Sequence, residues 1–360
     1  MARVGLKRPG RRAFVFALLC WALPLLCLLA TRGANGAALF FQDWGAWAKF
    51  LIAPALLTLS EKPIAFAIDE CVALLFRIPL IASQSMTDAR TALAKARDRT
   101  AASLPELTCL ALAVGASVIN VGRFLHGEAP GWAVYEGGLT LAGLWGLIFG
   151  NSLFWFLLTR LMWRHLLWWR FLGHIARCRL RLAVTHPDGH GGLGFLGFYP
   201  AGYGLFTVAV SCVFAAGIGH VMQRQTVTPG LFTSVCAAWL AVVAIYFALP
   251  LVPLARQVSR LKRDAILLSL TKGLDFERWN ERKTLGKNVV EDHAEMNSDT
   301  SEVHDLKLLY RASLKTSALL LNKGSVLAAL VPALVPLLLA GASFLPYAEL
   351  GKIVKRLLFL

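Results

Sequence analysis

The chain has 360 residues, 57% hydrophobic and only 16% charged, with a formal net charge of +16 and a mean hydropathy of +0.59. A soluble domain runs about 45–50% apolar and about 25% charged, so cytosolic, disordered, collagen-like and disulfide-rich secreted classes are excluded. The composition is that of an integral membrane protein, whose basic excess belongs to cytoplasmic loops rather than to nucleic-acid binding.

A span needs about 20 apolar residues to cross about 30 Å of hydrocarbon. The first such run, 13–30, follows the basic residues Arg3, Lys7, Arg8, Arg11 and Arg12. That order also describes a signal peptide with Ala34-Asn35-Gly36 as a cleavage site, although the apolar core is long for one. Span two, about 45–64, is the weakest because it carries Lys49 and ends at Glu61-Lys62. Spans three to six follow at 105–123, 138–158, 203–222 and 230–251, and span seven at 320–344. Pro332 and Pro336 share one face of span seven and are expected to kink it. The fold class is therefore all-α: a polytopic transmembrane helical bundle of about seven spans with helical cytoplasmic insertions.

Charge tests this layout. With the N-terminus cytoplasmic, the inside segments are the N-terminal tail, 65–104, 159–202 and 252–319, and they hold about 28 of the 37 Lys and Arg residues. The short outside loops hold Arg32 and Arg224, with Arg123 at a border. The chain divides accordingly: 1–64, tail and spans one and two; 65–104, a cytoplasmic helical segment; 105–251, spans three to six; 252–319, a cytoplasmic helical insert; 320–360, span seven and tail. Within the insert, a helix through Val258, Leu261, Leu267 and Leu268 precedes a linker at about 285–300. A second helix, SEVHDLKLLYRASLKTSALLL, is expected to start at a Thr300 or Ser301 cap and run straight into span seven. The final GKIVKRLLFL reads as an interfacial amphipathic helix. The acidic patch 291–305 reads as a solvated loop or as a latch onto the basic helix.

Chemistry is sparse in the spans. Asn120, Asn151 and Ser211 are polar exceptions, of which Asn120 and Asn151 read as interhelical hydrogen-bonding residues, and His220 and Lys323 lie near span ends. Coupled pumps place Asp, Glu or His at depth, so that class is weakened. The seven cysteines fall mostly in apolar runs with no CxxC pair and read as small buried residues.

Two stretches at the cytoplasmic face stand out. In 160–182, Arg170, His174, Arg177 and Arg181 are spaced by four, three and four, which places them on one face of a helix rich in tryptophan. They read as an interfacial helix resting on lipid phosphate, or as a site for an anionic ligand or anionic lipid headgroup. The stretch THPDGHGGLGFLGFYPAGYG, 185–204, holds His186, Asp188, His190, Gly191 and Gly192. Three readings stand for it: a structural turn, a His-x-Asp-x-His metal clip, or an anion site of glycine N–H groups beside arginine. No P-loop or dinucleotide fingerprint is present, and the sequence identifies no particular cofactor. His186-Pro187-Asp188 matches the tripeptide of J-domain co-chaperones, but span five begins too soon for the soluble helical hairpin of that domain.

The THPDGHGGLGFLG segment behind a Trp/Arg-rich helix, together with FLIAPALLTLSEKP, resembles a group of bacterial multi-pass inner-membrane proteins with no assigned activity. The resemblance implies an inner-membrane location and six or seven helices, and carries no functional residue. The reading at this point is a channel- or transporter-like protein, homo-oligomeric in one version, with the His-Pro-Asp loop at its cytoplasmic mouth. A membrane-anchored scaffold acting through its insert, and an inner-leaflet enzyme acting on a lipid or anion, are the alternatives.

Overall fold

A backbone in hydrocarbon must satisfy its own N–H and C=O groups, which leaves helices for runs this apolar. The computed structural model describes residues 8–123, 129–290, 306–321 and 323–357. Its helices in chain order are α1 (Pro9–Gln42), α2 (Trp44–Arg77), α3 (Met86–Ala101), α4 (Ser103–Arg123), α5 (Leu141–Ile175), α6 (Gly194–Arg224), α7 (Pro229–Leu285), α8 (Leu306–Lys315), α9 (Lys323–Ala342) and α10 (Tyr347–Leu357). Seven of them (α1, α2, α4, α5, α6, α7 and α9) are long and apolar enough to cross a membrane.

Helices α2, α5 and α7 are much longer than a bilayer. Helix α2 has 34 residues and α5 has 35, each about 50 Å at 1.5 Å per residue, against about 30 Å of hydrocarbon. The surplus projects at one end of the bundle, where it joins α3, α8 and the 185–204 loop. An ion-pair network links four of the spans. Glu61 accepts from Arg12 at 3.1 Å and from Arg160 at 2.9 Å, and Arg160 reaches Glu106 at 3.4 Å. One level of charge thus ties together α1, α2, α4 and α5.

Local chemistry sets the breaks. Gly33 takes φ +60, ψ −152 and interrupts α1 above Arg32. Asp43 starts α2, its carboxylate accepting from the Gly45 N–H at 2.7 Å. Thr228 caps α7 by accepting from Leu231 N–H, with Pro229 in the first turn. Pro250 and Pro253 tighten α7 into a 3₁₀ turn at Leu249–Leu251 without ending it, and Gly286 ends it in the left-handed region at φ +76. Helix α9 continues through both Pro332 and Pro336. Helix α10 is amphipathic as expected, burying Leu350 and Ile353 and exposing Lys355 and Arg356.

Two expectations need correction. The basic stretch is not a separate interfacial helix: it is the continuation of α5 and stops at Ile175. Beyond it the backbone is extended because it pairs with the chain after α2. Ala82 N–H donates to Arg179 O at 2.9 Å and Arg181 N–H to Leu80 O at 2.6 Å. Second, α8 does not run into span seven. Residues 316–321 are non-helical: the Ser317 N–H donates to Gly189 O and the Ser317 carbonyl accepts from His190 Nδ1 in the 185–204 loop. Between α4 and α5 lies a short β-hairpin, β1 (Val134–Tyr135) with β2 (Gly138–Leu139), which turns through Glu136 at φ 51 and Gly137 at φ 78. The acidic patch 291–305 and the proposed cap at Thr300 or Ser301 lie outside the described residues.

Candidate functional site

At the projecting end, the His-Pro-Asp loop is organised around one carboxylate. Asp188 Oδ1 accepts from His190 N–H at 2.8 Å and from Gly192 N–H at 3.1 Å, and Oδ2 accepts from Gly194 N–H at 2.9 Å. His186 Nδ1 lies 2.9 Å from Oδ1. Partial burial works to raise the Asp188 carboxyl, but the three N–H donors and His186 outweigh it and hold it below the usual carboxylate range. Gly191 at φ +70 and Gly192 at φ +97 provide the left-handed turns that bring those amides round, and a Cβ at Gly192 would press on Leu80 at 2.8 Å.

This loop clamps the chain ahead of α9. Ser317 N–H donates to Gly189 O at 2.9 Å, His190 Nδ1 donates to Ser317 O at 3.0 Å, and Lys262 Nζ donates to Thr316 O at 2.8 Å. His190 therefore points at a carbonyl, and Asp188 is saturated by amides. His186, Asp188 and His190 do not converge on a common point as ligands would, and among the described residues no group of three His, Cys, Asp or Glu could hold a metal.

The basic face is only partly assembled. Arg170 and His174 are exposed on the last turns of α5 and Arg177 lies just past its end, where it bonds His174 Nδ1 at 3.1 Å and Gly173 O at 3.3 Å. Arg181 stands apart from them, past the helix end, in the extended segment.

Below this loop the bundle is shut by an aromatic layer. Pro250 has no N–H, which frees the Tyr246 carbonyl. His165 Nε2 donates to it at 3.0 Å, so in the neutral ring Nδ1 accepts from the Tyr203 hydroxyl at 3.2 Å. His165 stacks on Tyr246 with centroids 3.9 Å apart, and Tyr199 O–H donates to Phe247 O at 2.6 Å. Tyr199, Tyr203 and Phe247 are buried.

The opposite end is open. A cavity of about 550 Å³ lies among α2, α4, α5 and α6, lined by Lys49, Asn120, Asn151 and His220 among others. Asn151 is ten residues into α5, about 15 Å along the helix, or half of the roughly 30 Å that a span must cross. It donates to Ser117 Oγ at 2.8 Å, and Asn120 reaches it at 3.5 Å: the interhelical bonding expected of these residues is made between α4 and α5. Lys49 Nζ sits 5.8 Å from the Phe154 ring centroid.

Asp43 braces the cavity rim. Its Oδ2 accepts from Trp132 Nε1 at 2.6 Å and its Oδ1 lies 3.1 Å from His220 Nε2. Burial would raise this carboxyl, but His220, Trp132 and the Gly45 N–H together hold it low. The walls are irregular where they face the cavity. Trp47–Ile52 in α2 and Gly146–Gly150 in α5 are wound as π-helical turns, a geometry found frequently at functional sites. Gly150 lets α5 approach Phe50, whose ring would lie 2.7 Å from a Cβ there.

Sequence reasoning missed this site. Lys49, Asn120, Asn151 and His220 are each visible as a polar residue in an apolar run, but no spacing reveals that they meet. No family model matches the chain, and no similar curated protein or solved structure was found. The fold defines the class by itself: a multi-pass integral membrane protein with seven apolar helices long enough to span.

Proposed function

We propose that the protein is a channel- or transporter-like component of a bacterial inner membrane. In this reading the cavity among α2, α4, α5 and α6 receives a small polar or charged solute, and the aromatic layer around His165 is the closed barrier on its path. The N-terminus and the His-Pro-Asp loop face the cytoplasm, which the concentration of Lys and Arg in the projecting segments supports. The observation that carries the reading is an open cavity of about 550 Å³ with asparagine and lysine on its wall, reaching halfway along a span, where polar groups mark solute paths.

The test is uptake into liposomes by the full-length protein, over a panel of small cations, anions and zwitterions. Uptake above empty liposomes that falls on Asn151→Leu supports the reading, and no uptake of any member by folded protein weighs against it.

A second reading has its own observation. On the projecting part of α7, Leu267, Leu268, Leu270 and Leu274 are each more than half exposed. Such a strip suits a partner or a second copy of the chain, as a membrane-anchored scaffold would require. Its test is the mass of the detergent-solubilised protein before and after Leu267→Glu.

A further inference from the structure

Residues at the open end pack as a unit of their own. Cys20, Leu28 and Phe40 of α1, Phe50 of α2, Trp132 of the connection before α5 and Ala142 of α5 form a hydrophobic cluster separate from the main core, which it meets at Leu153. Hydrogen bonds close this head on itself. Trp132 Nε1 donates to Asp43 at 2.6 Å, Arg32 Nη1 to Gly131 O at 2.9 Å, and Trp145 Nε1 to Leu19 O at 2.8 Å.

Helices α1, α2 and α5 each pass from the head into the rest of the bundle through a π-helical turn, at Leu18–Ala22, Trp47–Ile52 and Gly146–Gly150. The three turns pack on one another, and no other π-turn occurs among the described residues. The sequence supplies the causes. A proline inside a helix has no N–H to give, and its ring crowds the carbonyl four residues back. Pro24 and Pro54 stand four residues after Cys20 and Phe50, just beyond the first two turns. The Leu19 carbonyl, which the missing Pro24 N–H leaves open, is the one that the Trp145 indole takes. In α5 a glycine stands at each end of the turn, and the Phe50 ring occupies the space a Cβ at Gly150 would need. Prolines and π-turns are where helices bend.

The cavity of about 550 Å³ lies between this head and α6. Across its mouth, Asp43 Oδ1 of the head is 3.1 Å from His220 Nε2 of α6. Beside that pair, the Trp44 ring rests on Gly219, where a Cβ would overlap it.

We propose that the head swings as one piece on the three π-turns, and that the Asp43–His220 pair is the latch that closes it against α6 over the cavity. A unit with its own apolar cluster can move without unpacking the main core, and a few residues at element ends absorb such a motion. The head moves in this way whether or not the cavity conducts a solute, so failed uptake into liposomes leaves the inference standing.

The experiment is pulsed electron resonance on the full chain in nanodiscs, with nitroxides carried on non-natural amino acids. One pair, at Leu141 and Val221, spans the mouth. The other, at Leu29 and Leu141, lies within the head, and all three positions are exposed. The parent is expected to give one main distance across the mouth and a minor longer one. His220→Ala is expected to raise the longer population about fivefold, the change that about 1 kcal/mol makes. His220→Gln, which keeps a donor for Asp43, is expected to stay near the parent. Gly219→Ala, which lifts Trp44 from its seat, reaches the longer distance by a second route should His220→Ala not fold. Added to His220→Ala, the pair Pro24→Ala and Pro54→Ala returns the missing N–H groups and is expected to shrink the longer population. The distance within the head is expected to stay single throughout. A mouth distance that neither His220→Ala nor Gly219→Ala moves overturns the latch. A distance within the head that spreads along with the mouth overturns the rigid head, and a longer population untouched by the proline changes overturns the hinge.

Discussion

The two ends of the bundle use polar residues in opposite ways. At the projecting end, the histidines, aspartate and glycines of the His-Pro-Asp loop are spent on one another and on the chain ahead of α9, and the Asp188 carboxylate accepts three backbone N–H bonds. At the open end, a few residues from four distant stretches surround about 550 Å³ of space. A dense motif made a rigid clamp, whereas scattered polar residues made a cavity. Density of chemistry-bearing residues in the sequence is therefore a poor guide to where open space lies in this molecule.

The contrast can be broken by substitution, and the clamp should show the largest effects on stability. A Cβ at Gly197 would overlap the Leu320 carbonyl, so Gly197→Ala is expected to cost about 3 kcal/mol, the upper end for overpacking, read as a lower unfolding temperature in detergent. Asp188→Ala strands three amides and is expected to cost about 2 kcal/mol. The same carboxyl makes stability depend on pH. Because its folded pKa is depressed, its contribution is complete above the ordinary Asp value of about 4 and is lost as pH falls through the folded value. Acid titration of the unfolding temperature should show this component in the parent and lack it in Asp188→Ala.

The cavity should respond in function instead. Asn151→Leu is expected to change stability by only about 0.6 kcal/mol, the usual worth of an interhelical bond in a membrane, yet to lower solute uptake into liposomes by about tenfold. The smallest effect belongs to the exposed basic face: Arg170→Gln is expected to shift stability by less than about 0.5 kcal/mol, measured by the same thermal unfolding.

The spans were legible because 20 apolar residues in a row have few other fates, and all seven form. Their lengths were not. Nothing in the composition of 160–175 distinguishes a helix lying on the membrane from α5 running on past it, since Trp and Arg suit either. Arg181 has the right spacing for the helical face, but pairing with Leu80 draws its backbone into an extended path. Likewise the run from Leu306 onward looks helical throughout, and it is contacts with Lys262, Gly189 and His190 that interrupt it. The loop illustrates a legible cause with a misleading emphasis. Asp followed by glycines is a turn signature, and that bland reading accounts for Asp188 better than a metal clip does. The cavity was out of reach because Lys49, Asn120, Asn151 and His220 are brought together by packing between helices far apart in sequence.

The most direct measurement pairs uptake with unfolding in two variants, Asn151→Leu and Asp188→Ala, reconstituted side by side with the parent. The account predicts that Asn151→Leu unfolds near the parent temperature but takes up little solute, and that Asp188→Ala unfolds earlier while uptake per folded molecule persists. Full uptake by Asn151→Leu, together with loss of uptake by folded Asp188→Ala, would contradict it and move the working site to the loop.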